Sequence, residues 1–146
     1  MMNKQHGNSY PAKPLVGVGA IVQKDGKILL VKRGVEPSFG LWAIPGGTLK
    51  LGESMRQCAE RELLEETGIK AKAEECVYVF DFVEHDAQGK IKYHFVVADF
   101  AAKYISGEPQ GADDALEARW FSPQELNSIA VSKNTLAALR TIGFSD

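Results

Sequence analysis

Three carboxylates crowd together near the middle of the chain. In the segment SMRQCAERELLEETG, residues 54–68, Glu62, Glu65 and Glu66 recur at i, i+3 and i+4. At helical periodicity this spacing puts them on one face. Like charges placed so repel, at a cost of roughly a few tenths of a kcal/mol per pair. A divalent cation reverses the sign, because the same crowding becomes a multidentate oxygen site. Hard oxygen donors suit Mg²⁺ or Mn²⁺ rather than zinc. Just upstream, Gly46-Gly47 lets backbone approach a ligand and present its carbonyls and amides. A loop supplying backbone oxygens, then a helix supplying carboxylates, suits metal-assisted attack of water on a phosphate. The metal there would neutralise charge, orient the diphosphate and acidify a bound water. A Glu-rich helical face is otherwise an ordinary solvated surface, and the carboxylates alone do not separate the two readings.

The elements around this segment are legible from punctuation and periodicity. Residues 1–14 end in Pro11 and Pro14 and read as a flexible tail, leaving 15–146 as a single domain. LVGVGAIV (15–22) and ILLVKR (28–33) read as strands joined by an Asp25-Gly26 turn, the dipeptide that tight hairpins prefer. LWAI (41–44) is a short strand closed by Pro45, Gly46 and Gly47. The helix starts at Ser54, a natural N-cap, carries Met55, Cys58, Ala59 and Leu63 at helical spacing, and stops at Gly68. Residues 76–85 and 90–100 form a hairpin, 101–116 a loop and 117–121 a strand. Ser122, Pro123 and Glu125 open a further helix with a capping box, and NTLAALRTIG (134–143) is a last short helix. Strands dominate, with one early helix between them. The expected architecture is a mixed-sheet α/β (α+β) sandwich rather than a doubly wound dinucleotide fold. Gly17 and Gly19 precede no helix and so make no dinucleotide fingerprint.

Composition narrows the partners. The 146 residues carry a formal net charge of −2, with 45% hydrophobic and 25% charged residues. No basic excess suggests a duplex nucleic-acid binder, although a nucleotide-sized anion needs only a local cluster of cations. The longest apolar stretch, Leu15 to Val22, is too short to span a bilayer, so no membrane partner is expected. Cys58 and Cys76 show no metal-ligand or disulfide spacing, which reads as two reduced thiols in a cytoplasmic protein.

The full spacing adds specificity. Gly47, Glu53, Arg61-Glu62, Glu65-Glu66 and Gly68, with apolar Leu63 and Ile69, match the Nudix box at every fixed position. Chance agreement in a chain this long is on the order of 10⁻⁷ at ordinary residue frequencies. The sequence resembles the Nudix hydrolase family.

That resemblance implies a three-layer α/β/α sandwich with a mixed sheet, and an enzyme that cleaves a diphosphate linked to another moiety using water and a divalent metal. Glu62, Glu65 and Glu66 would be the principal metal ligands, with Glu53 assisting and the carbonyl of Gly46 or Gly47 as a further donor. Arg61 would hold Glu53 or another box carboxylate by charge-assisted hydrogen bonds. The general base is either a box glutamate, Glu62 or Glu65, or a carboxylate of the acidic loop at 111–120, where Asp113, Asp114 and Glu117 are candidates.

The stretches 32–47, 85–100 and 107–126 look most like bacterial members grouped with ADP-ribose pyrophosphatases. Arg33 and Gly46 would then contact phosphate, and Phe39, Trp42 or Tyr93 would stack on a base unless they pack in the core. Two positions depart from the family pattern. Glu84 and His85 stand where many ADP-ribose hydrolases place a proline, and Lys50 replaces a frequent glutamate. His85 and His94 read as packed or surface residues. The expected substrate is ADP-ribose, cleaved to AMP and ribose 5-phosphate. The alternatives are a (d)NTP pyrophosphatase and a non-catalytic nucleotide-binding regulator. Relatives are often homodimers, and the same is expected here by analogy.

Overall fold

The computed structural model describes residues 8–146. Part of the expected tail, residues 1–7, lies outside the described residues. Within the remainder of that tail, Tyr10 donates its hydroxyl to Asp86 at 3.0 Å and its backbone N–H to the Lys92 carbonyl at 2.7 Å.

Among the described residues, seven strands form one mixed sheet: β1 (Leu15–Lys24), β2 (Lys27–Arg33), β3 (Trp42–Ala43), β4 (Gly46–Thr48), β5 (Lys70–His85), β6 (Ile91–Ser106) and β7 (Ala115–Phe121). From residue 15 onward two helices accompany them, α1 (Met55–Thr67) and α2 (Lys133–Thr141), with a 3₁₀ turn at Glu125–Ser128. The spatial order is β3-β2-β1-β6-β5, with β4 also on β1 and β7 also on β2. Among these seven strands, β1 and β6 are the one parallel pair, from Leu15 opposite Phe95 to Val22 opposite Ala102. The Asp25-Gly26 turn has φ of 52° and 76°, the left-handed pair that a two-residue hairpin of this hand requires.

Period-two alternation in β1 and β6 splits the core into two layers. Val18, Ala20, Val22, Ala98, Phe100 and Ala102 pack under Cys58, Ala59 and Leu63 of α1. On the opposite face Ile21, Ile28, Leu30, Trp42 and Phe121 pack under Ala138 and Leu139 of α2. One helix on each face of a mixed sheet makes the three-layer α+β sandwich. Burial on both faces explains why β1 reads as a nearly continuous apolar run.

Helix α1 is bounded as its caps dictate. Ser54 Oγ accepts from Gln57 N at 3.1 Å, and Gln57 Oε1 accepts from Ser54 N at 2.9 Å, a reciprocal capping box. Gly68 ends the helix at φ 75°.

Three boundaries differ from the sequence reading. Gly46-Gly47 begins a strand instead of only closing one, because Val18 and Gly19 of β1 pair with it at backbone distance. A Cβ on Gly46 would stand 2.3 Å from the Val18 carbonyl oxygen. The hairpin is longer than expected: β5 begins at Lys70 and β6 runs on to Ser106. Its extra length carries small buried residues, Ala71, Ala73 and Ala102, which α1 covers but which signal strand weakly. The Ser122–Glu125 box does form, with bonds of 2.8 and 3.3 Å, yet only the 3₁₀ turn follows it.

Candidate active site

The loop Thr48–Ser54 carries the chain from β4 into α1 and brings Glu53 back onto the helix. Arg61, one and a half turns into α1, is the hub. Its Nε and Nη2 donate to the two carboxylate oxygens of Glu53, the latter bond at 2.9 Å. Its Nη1 donates to Glu62 at 2.7 Å and Glu65 at 3.0 Å, and Nη2 reaches the Thr48 carbonyl at 3.3 Å. Such charge-assisted, forked bonds fix direction as well as charge. Hydrogen bonding from Arg61 holds the Glu53 carboxyl down to about 2. The same bond to Glu53 raises the Arg61 pKa further, so the pair stays ionised throughout the neutral range.

Glu62 and Glu66 point inward from α1 and are 1% and 5% exposed. The Glu62 carboxylate lies where a side chain on residue 47 would have to go: a Cβ on Gly47 would stand 2.2 Å from Glu62 Oε2. Glu66 Oε1 accepts from the Gly46 N–H at 2.9 Å. The two glycines of β4 thus lie directly against the two buried carboxylates of α1. Cys58, beneath them, is buried, and burial pushes its thiol up to about 12, which leaves it inert.

A cavity of about 190 Å³ opens beside this cluster on the α2 side of the sheet. Arg33, Gly46, Gly47, Glu66 and Asp114 line one end. Arg33 Nε donates to the Pro37 carbonyl at 2.7 Å, which aims the guanidinium. Burial lowers the Arg33 pKa, and the nearby charges of Glu66 and Asp114 oppose that shift. Phe80 and Phe82 of β5, with Phe95, Val97 and Asp99 of β6, line the other end, and Ser132 and Asn134 at the start of α2 flank it. Gly17 and Gly19 also line the cavity, and the place of a Gly19 side chain is taken by Asp99 Oδ1.

The expected site residues therefore separate into two sets. Glu53, Arg61, Glu62, Glu65, Glu66, Gly46 and Gly47 form one cluster, with Arg33 and Asp114 beside it. The remaining candidates lie elsewhere. Trp42 is not a stacking surface: it is 5% exposed and packs edge-on against Phe121 at 4.8 Å, with the Arg119 guanidinium over its ring. Tyr93 is 1% exposed in the interior. Phe39 is 57% exposed on the 34–40 loop and does not line the cavity. Glu117 does not line it either and pairs with Lys32 and Arg119 on an exposed face. Asp113 is exposed in a left-handed backbone conformation. The residues that sequence reasoning missed are Asp99, Asn134 and the Phe80/Phe82/Phe95 group. The available signal was one acid, Asp99, inside the otherwise apolar run FVVADF.

The donor set fits a hard divalent cation chemically, being carboxylate oxygens of Glu53, Glu62, Glu65 and Glu66 with the Gly47 carbonyl. As arranged, Glu53, Glu62 and Glu65 are drawn onto Arg61. No group of three or more His, Cys, Asp or Glu among the described residues converges on one point. A cation therefore competes with Arg61 for Glu62 and Glu65.

Comparison with known proteins agrees with the geometry. The NUDIX domain family model matches residues 13–140. An ADP-ribose pyrophosphatase of Methanocaldococcus jannaschii is 37% identical over 117 residues, covering 80% of this chain and 67% of that protein. A CTP pyrophosphohydrolase of Escherichia coli K12 is 37% identical over 111 residues, covering 74% and 76%. A MutT NUDIX hydrolase of Burkholderia pseudomallei superposes with a TM-score of 0.77 at 32% identity, covering 89% of this chain and 98% of that one. With the box carboxylates, the paired glycines and the sandwich all in register, the chain belongs to the Nudix hydrolase family.

Proposed function

We infer that the protein hydrolyses the pyrophosphate bond of ADP-ribose, giving AMP and ribose 5-phosphate, with Mg²⁺ or Mn²⁺. The observation that carries this reading is the single cavity joining Glu66, Gly46 and Gly47 at one end to Phe80, Phe82 and Phe95 at the other. A diphosphate at the carboxylate end puts an attached flat ring among the phenyl groups. The 37% identity to an ADP-ribose pyrophosphatase supports the choice of substrate.

Glu53, Glu62, Glu65, Glu66 and the Gly47 carbonyl would hold the cation. When bound, it supplies positive charge against the diphosphate and lowers the pKa of water. Arg61 keeps the carboxylates aimed. Arg33 takes a phosphoryl oxygen. Asp114 accepts the proton of the attacking water. A phosphate oxygen then leaves with the departing half, so one water is consumed for each bond broken.

A second reading is an NTP pyrophosphohydrolase releasing a nucleoside monophosphate and pyrophosphate, favoured by the equal identity to a CTP pyrophosphohydrolase. Incubation with ADP-ribose and with each NTP, under Mg²⁺ and Mn²⁺, separates the two. AMP plus ribose 5-phosphate as the fastest products is the expected result. Faster release of pyrophosphate from an NTP would replace the first reading with the second.

A further inference from the structure

Asp114 owes its place to a one-residue slip in the sheet. Lys32 of β2 stands opposite Glu117 of β7, but Arg33 stands opposite Ala115, so Leu116 is an extra residue on β7. An unbroken ladder would set Ala115 opposite Gly34. The bulge sets Asp114 there instead, and the Gly34 N–H donates to the Asp114 carbonyl at 2.8 Å. Bulges beside active sites re-aim side chains in this way. The same turn is also tied to α1. The Ala112 N–H donates to the Glu66 carbonyl at 3.0 Å, and the Ala115 N–H closes the turn on the Ala112 carbonyl at 3.0 Å. The Asp114 backbone is thus fixed between the helix of the box carboxylates and the strand end that carries Arg33.

Gly34 has no room for a side chain. A Cβ there would stand 2.9 Å from the Asp114 carbonyl oxygen and 3.1 Å from the Leu116 side chain. Leu116 is exposed and can turn away, whereas a shift of the Asp114 backbone carries its carboxylate with it. Resting on the pyrophosphohydrolase reading above, in which Asp114 takes the proton of the attacking water, we propose that Gly34 is a positioning residue for Asp114. Its absent side chain lets β2 come close enough for the N–H to hold the Asp114 backbone. Arg33 and Asp114 both line the cavity, and Gly34 does not. The one backbone bond therefore sets the base relative to the phosphate-binding guanidinium, and Gly34 acts only through its neighbour.

A double-mutant cycle tests this. Values of kcat and KM are measured for the wild type, Gly34→Ala, Asp114→Asn and the double variant, with Mg²⁺ and whichever of ADP-ribose or the NTPs the wild type hydrolyses fastest. Gly34→Ala is expected to lower kcat about tenfold or more, with KM changed less than about threefold, since a misplaced catalytic group costs rate. In the Asp114→Asn background the same substitution is expected to cost less than about twofold, because residues that act as one unit are not additive. A merely structural glycine would lower kcat by the same factor in both backgrounds. That result, or wild-type kcat in Gly34→Ala, would overturn the proposal while leaving the pyrophosphohydrolase reading intact. Should Gly34→Ala not fold, Gly111→Ala takes its place in the cycle with the same expectations: its Cβ would stand 2.7 Å from the Leu116 carbonyl oxygen and wedge the same turn open. Unfolding of both glycine variants, read by circular dichroism, would also overturn the proposal, because both glycines would then serve the fold rather than the base. Full activity in Asp114→Asn would remove the base assignment and the proposal with it. A wild type that hydrolyses none of these nucleotides would reject the underlying reading itself.

Discussion

Arg61 and Glu53 are joined by two parallel hydrogen bonds, from Nε and Nη2 to the two carboxylate oxygens. The pair ties the loop after β4 to α1 and leaves Nη1 for Glu62 and Glu65. Lysine carries the same charge without the fork. Arg61→Lys is therefore expected to lower kcat about 10–100-fold, the range for partners that orient metal ligands. Steady-state kinetics with a metal titration checks this, and the apparent metal affinity should fall too. Wild-type kinetics in the variant would remove the orienting role.

Gly47 faces the Glu62 carboxylate so closely that a Cβ would come within 2.2 Å of it. Gly47→Ala must push Glu62 aside, and a loss of about a hundredfold or more in kcat is expected, since small misplacements of catalytic groups have effects of that size. Forcing extra volume into a packed site should also cost about 1–3 kcal/mol, readable in urea unfolding. Gly46→Ala should be at least as damaging to stability, because its Cβ meets β1 backbone, which cannot swing away.

Asp114 lines the cavity beside Arg33, whereas Glu117 pairs with Lys32 and Arg119 outside it. Asp114→Asn is expected to lower kcat more than KM, by about 10²–10⁴-fold for a lost general base. Glu117→Gln should change kcat less than about twofold and stability by no more than about 0.5 kcal/mol, as for an ordinary surface substitution. Full activity in Asp114→Asn would return the base assignment to Glu62 or Glu65.

Asp99 links stability to pH. Its carboxyl lies at about 7 in the folded protein, against an ordinary value of 3.8. Below the lower value both states are protonated and there is no penalty. Between the two, only the unfolded chain ionises, so stability falls as pH rises. Above 7 the full penalty applies, on the order of 4 kcal/mol. Asp99→Asn removes this term. The variant should therefore be more stable than wild type at pH 8, with the difference shrinking towards pH 4 in chemical denaturation. A gap that does not change with pH would contradict the buried, unpartnered state of Asp99.

The box was legible because its chemistry is local. Glu62, Glu65 and Glu66 lie within one helix, and Ser54 and Gly68 mark its ends. Backbone punctuation likewise announced the Asp25-Gly26 hairpin. Strand β4 was harder to read, because glycine signals a break unless another backbone approaches as closely as Val18 does. The cavity was hidden for a different reason. Asp99 meets Gly19 only through the parallel pairing of β1 with β6, a contact across most of the chain that no local pattern encodes. Aromatic type alone also misled: Trp42 and Tyr93 were drawn into the interior, while the phenyl rings lining the cavity came from alternate positions of the hairpin.

The most direct test of the account is hydrolysis of ADP-ribose by the wild type and by Glu66→Gln, each with Mg²⁺ or Mn²⁺ and each with the cation chelated. Glu66 is 5% exposed and accepts from the Gly46 N–H, so the amide keeps the shape while removing the charge. AMP and ribose 5-phosphate are expected from the wild type only when the cation is present, with a rate lower by about two or more orders of magnitude in the variant. Undiminished hydrolysis without the cation, or a Glu66→Gln enzyme as fast as the wild type, would contradict it.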